Sequence, residues 1–145
     1  MVSPAITTTL ATEEDAQTLA SIMTSAFSAS DAAYPLIWAG PTAPDGIHDI
    51  VAVKGLFSPV QKEDRLTFKA VDGERVVGFA TWNMPKGNAA VRRKVEKGGL
   101  PNIPGVNVSL WSEKVEGLKD VADRDVEPGK DMCLLHFQTS SLRIN

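Results

Sequence analysis

The sequence predicts an α/β (α+β) protein: a mixed, mostly antiparallel sheet with flanking helices. Three observations carry this. An alternating run from Leu66 to Val71 meets Asp72-Gly73-Glu74 and a second β-rich run from Arg75 to Trp82, which reads as a β-hairpin. Ahead of it, Ala16, Leu19, Ala20, Met23, Ala26 and Phe27 recur at helical spacing on one face. The elements as a whole fall in the order strand, helix, helix, strand, strand, helix, strand, which suits a small sheet beside helices.

Taken in chain order, Ala5 to Leu10 is short and rich in Thr, with Ile6 in it, and reads as a first strand. Thr12 is placed as a helix N-cap, with Asp15 three residues on as the partner of a capping box. Glu13, Glu14 and Asp15 put negative charge at the positive end of the helix dipole. From Asp31 to Gly46 the prolines 35, 41 and 44 give a loop-like stretch holding an apolar cluster of Tyr34, Leu36, Ile37 and Trp38. Ile47 to Phe57 reads as a second helix ending near Gly55. Gly78, inside the second hairpin strand, marks a bulge or a close approach.

Pro85 to Gly105 is polar and rich in Gly and Pro, with Arg92-Arg93-Lys94 on a short helix inside it. Leu110, Trp111, Val115, Leu118, Val121 and Ala122 then form a helical stripe, interrupted by Gly117. Pro128-Gly129 is a turn, and Met132 to Phe137 is the last strand.

A length of 145 residues fits one domain over 1–145, and 43% hydrophobic with 23% charged residues fits a globular one. The net charge of −3 argues against a nucleic-acid surface. Cys133 is the single cysteine, so no intrachain disulfide can form. The start Met1-Val2-Ser3-Pro4 lacks a signal-peptide pattern, and no apolar run reaches the roughly 20 residues that span a bilayer. The expectation is a cytoplasmic or nuclear protein with no membrane partner.

Several segments together resemble the N-terminal portion of GNAT-superfamily N-acetyltransferases, in a fungal branch. They are Ala11 to Ala16, Ala26-Phe27, Pro35 to Trp38, His48-Asp49, Gly55 to Lys62, Phe68 to Val71, Val76 to Trp82, Gly105 to Asn107, Arg124 to Val126, and Met132 to Phe137. The resemblance covers essentially 5–137 and rests on the ordered set rather than on one piece. It implies acetyl transfer from acetyl-CoA to a small-molecule or peptide amine, with no metal.

The family's most specific motif is a Gly-rich turn after the fourth strand, where backbone N–H groups and a helix dipole hold the pyrophosphate. Here Gln138 is followed by Thr139, Ser140 and Ser141, without glycine. The resemblance therefore implies an incomplete GNAT fold, with 138–145 an aberrant tail and acetyl-CoA bound poorly. Phe137, the last residue of the match, is the position it sets against the cofactor. The last strand is then also an edge open to strand-mediated dimerisation.

The resemblance makes His136, beside the acyl group on the last strand, a candidate general base. A hydrogen-bonded structural histidine is the commoner occurrence. Phe27, Trp38 and Trp82 are candidates for lining the amine pocket, set against plain core packing. Cys133 lies in an apolar strand without a basic neighbour and reads as a small buried hydrophobe. Lys86, Arg92, Arg93, Lys94 and Lys97 read as a solvated basic loop rather than a phosphate site. His48-Asp49 is too little for a metal site in a chain with two histidines.

Overall fold

The computed structural model describes residues 5–84, 100–125 and 133–139. Four strands form one sheet in the order β1-β2-β3-β4: β1 is Thr7–Leu10, β2 Arg65–Asp72, β3 Arg75–Asn83 and β4 Cys133–Thr139. Every pairing among them is antiparallel, which corrects the expectation of a mixed sheet. Between β1 and β2 come α1 (Ala16–Ser30), α2 (Tyr34–Trp38) and α3 (Ile47–Gly55), and α4 (Val108–Asp125) lies between β3 and β4. None of the described helices is long and apolar enough to cross a membrane.

The start of α1 follows its sequence signals. A single 3-10 turn, Glu13–Asp15, precedes it. Asp15 accepts from the Thr12 backbone N–H at 2.7 Å and from the Thr12 hydroxyl at 3.1 Å. Lys69 of β2 donates to the same carboxylate at 2.8 Å, so one residue ties the helix start to the sheet. Burial pushes the Asp15 carboxyl up, but the bonds from Lys69 and Thr12 outweigh it and hold it below the usual range.

One face of α1 supplies the main core. Leu19, Ala20, Ile22 and Met23 pack with Ala52 of α3, Phe57, Val60 and Phe79 of β3. The Phe57 and Phe79 rings meet edge to face at 5.3 Å. The loop after α3 is pinned by polar contacts: Val60 N–H donates to Glu13 at 2.7 Å, and the Gln61 side chain bridges the Ala11 and Thr67 backbones. A smaller core joins Ile37 and Trp38 of α2 to Val106.

The hairpin forms as expected, with Gly73 at φ 62° in its turn. Ala70 pairs with Gly78 and Val71 with Val76, so Val77 is the extra residue of a bulge beside Gly78. The alternation of β2 is oriented unusually. Thr67, 1% exposed, and Lys69 face the helices, while Leu66, Phe68 and Ala70 fall on the opposite face.

Four further expectations are corrected. Tyr34–Trp38, read within a loop-like stretch, is a short helix, because Pro35 sits in the first turn, where its missing N–H costs nothing. β1 starts at Thr7 rather than Ala5. β4 runs to Thr139, with Gln138 opposite Phe79 and Thr139 opposite Gly78, so backbone pairing carries the strand two residues past Phe137 into the expected tail. The stripe of α4 is only partly covered: Trp111 packs on Trp38 at 5.2 Å, yet Val115 and Leu118 are exposed. The basic run from Lys86 to Lys97 and the Pro128-Gly129 turn lie outside the described residues.

Candidate functional site

The most chemically organised place among the described residues is where α1, α2 and α3 meet. His48 stands in the first turn of α3, after Gly46 at φ 68°. It is 5% exposed. Its ring sits among three aromatic side chains, with centroids 4.6 Å from Trp38, 5.3 Å from Tyr34 and 6.2 Å from Phe27, all edge-on. Two of these, Phe27 and Trp38, are residues the sequence marked for a substrate pocket.

The other side of the ring is polar. Thr24 Oγ1 lies 2.7 Å from His48 Nδ1 and donates a short hydrogen bond to Asp49 Oδ1. Ser21 donates to Asp49 Oδ2 at 2.7 Å, and Gln17 to the same oxygen at 3.3 Å. Helical spacing explains the set: positions 17, 21 and 24 share one face of α1, and that face meets α3. Burial pulls the His48 pKa down, and the nearby Asp49 charge pushes back less strongly. The imidazole is therefore neutral at pH 7, with no hydrogen-bond partner for Nε2 among the described residues. Tyr34 is held protonated by burial and by the same carboxylate.

A cavity of about 430 Å³ opens here, lined by Thr24, Tyr34, Trp38 and His48 and by the 39–47 loop, which brings Asp45. Its loop wall is set by close backbone contact. A Cβ on Gly40 would stand 2.2 Å from the Gly105 carbonyl oxygen, and one on Gly105 would stand 2.0 Å from the Ala43 nitrogen. The Asn107 N–H donates to the Ile37 carbonyl at 2.8 Å, and the Asn107 side chain caps α4 at Leu110 N–H. Lys114 of α4 pairs with Asp31, holding that carboxyl below the usual range, and its ammonium lies 5.7 Å from the Phe27 ring centre.

The remaining sequence candidates lie elsewhere. Trp82 follows Thr81, which is buried on the helix side and bonded to Thr67, so alternation puts Trp82 on the other face, away from Phe27 and Trp38. On β4, His136 pairs with Thr81 and Phe137 with Ala80 in the backbone register. Cys133 opens that strand opposite Asn83. Among the described residues no cluster of three or more His, Cys, Asp or Glu has the makings of a metal site. His48-Asp49 stood out in the sequence as a segment of the resemblance and as too little for a metal site, and Thr24 had no signal beyond its place on the α1 face.

Comparison of the chain with protein-family models, with curated proteins and with solved structures finds no match.

Proposed function

We propose that this chain carries the amine-binding part of an acetyl-CoA-dependent N-acetyltransferase of the GNAT kind, and that these 145 residues alone transfer acetyl groups weakly or not at all. The observation that carries the reading is the neutral His48 ring on an aromatic-walled cavity. An amine is an ammonium ion in neutral water and must lose a proton before its lone pair can attack a thioester. A neutral imidazole can accept such a proton at physiological pH; burial weakens His48 as a base, and the Asp49 charge beside it supports the imidazolium that forms. The nitrogen then bonds to the acetyl carbon, the C–S bond breaks, and CoA leaves as the thiolate with its electron pair, which takes up the second proton that the nitrogen sheds as it becomes the amide.

The sequence resemblance supplies the thioester and the amine; the cavity supplies the base, with Tyr34, Trp38 and the Asp45 carboxylate among its lining to receive a cation. The reading is compatible with the element order, in which three helices separate β1 from the β2–β3 hairpin and α4 precedes β4. His48 has Thr24 and Asp49 beside it for the base role. The weak-activity half rests on sequence: Gln138 is followed by Thr139, Ser140 and Ser141 where the family's turn carries glycine. The reading places the protein in the cytoplasm or nucleus, acting on a small-molecule or peptide amine.

Isothermal titration with acetyl-CoA tests it. The expected result is no binding in the micromolar range; micromolar binding with turnover of an amine would show a complete enzyme instead. A second reading, a non-catalytic module that dimerises through its edge, is favoured by one observation: among the described strands β4 has a partner on one side only.

A further inference from the structure

We propose that Thr24 is a positioning residue that locks His48 in the Nδ1–H tautomer, so that the cavity takes compact primary amines through Nε2. This rests on the acceptor-site reading above, and it adds the ligand class and the residue that sets it.

A hydroxyl carries a single proton. The Asp49 carboxylate can only accept, so the Thr24 proton goes to Asp49 Oδ1. The Thr24 oxygen is then an acceptor toward the ring nitrogen 2.7 Å away, and only an Nδ1–H satisfies it. Ser21 and Gln17 hold the other Asp49 oxygen, which keeps the carboxylate from turning away and fixes the direction of the chain. With Nδ1 protonated, the neutral ring carries its lone pair on Nε2. The cavity is thus offered an acceptor, which suits an N–H donor and opposes a ligand that brings only lone pairs.

Size and charge narrow the class. About 430 Å³ is near the small end of the roughly 300–1,000 Å³ of ligand pockets, so the ligand is compact. Tyr34 and Trp38 line it with ring surface, and Asp45 adds a carboxylate at the wall. An ammonium head with a short apolar tail matches all three features. Without the Thr24 hydroxyl the ring is free to carry its proton on Nε2, turning a donor toward the ammonium.

The test uses ¹⁵N-labelled full chain. Two-bond proton–nitrogen spectra report which ring nitrogen is protonated, and the H136Q variant assigns the two histidines. Wild type and T24S are expected to show Nδ1–H at His48, and T24V and T24A to show Nε2–H. n-Butylamine and n-butanol then serve as probes by isothermal titration. Wild type is expected to prefer the amine, and T24V and T24A to lose about tenfold in amine affinity, the scale of one hydrogen bond to a charged group. T24S should keep it. An unchanged tautomer in folded T24V or T24A overturns the lock. A changed tautomer with unchanged amine affinity overturns its link to binding. A wild-type chain that binds neither probe overturns the amine cavity while leaving the tautomer result readable, and acetyl-CoA titration reports separately on the enzymatic lineage.

Discussion

His48 feels two opposed influences, and their balance has a measurable consequence. Burial disfavours the imidazolium more than Asp49 favours it, so the folded pKa lies below the ordinary 6.5. As pH falls through about 6.5 the unfolded chain takes up a proton that the folded chain does not, and folding loses stability. The urea midpoint is therefore expected to fall on acidification from pH 7.5 to 5.5, and H48Q to flatten that slope, with H136Q as the control. A wild-type slope that H48Q leaves intact would show that His48 is not buried and neutral. At this scale the sequence pointed to Phe27 and Trp38, and both stand beside the His48 ring, with Trp38 lining the cavity. Trp82 lies on the far face of the sheet, because two strand neighbours face opposite ways. Thr24 was silent because a threonine 24 positions from a histidine carries no pattern in one dimension.

The elements show where composition speaks and where it does not. The capping box at Thr12, the Gly73 turn and the end of α3 at Gly55 were all readable, because each depends on residues within a few positions of one another. The facing of β2 was not. Its alternation is plain, but burying Thr67 and Lys69 depends on partners supplied by Thr81 and Asp15. Two glycines give opposite expectations. A Cβ on Gly117 meets nothing within 4 Å, so G117A should stabilise α4 by about 0.5–1 kcal/mol and raise helical circular dichroism. Gly105 has φ +77° and no room, so G105A should lower the urea midpoint and weaken any ligand held by the 39–47 loop. Equal stability of the two variants would contradict this account of the cavity wall.

In the whole molecule α1 lies against β3 and β4, and α2 and α3 pack on α1. Among the described strands β1 and β4 are the two edges, and β1 is only four residues long, which blunts it. If β4 pairs with a second copy, size exclusion with light scattering should give a dimer mass at tens of micromolar protein, on the order of common weak assemblies. A monodisperse monomer would sink the strand-pairing reading and leave the His48 cavity untouched. The element order, the hairpin and the helical face of α1 were determined by the chain itself, because periodicity and turn chemistry act over short stretches. Tertiary structure alone decided that the sheet is antiparallel throughout, that β4 reaches Thr139, and that Thr24, His48 and Asp49 form one hydrogen-bonded chain. Those outcomes depend on which surfaces meet when α1 packs across α3, and helical and strand periods specify a face without naming what will lie against it.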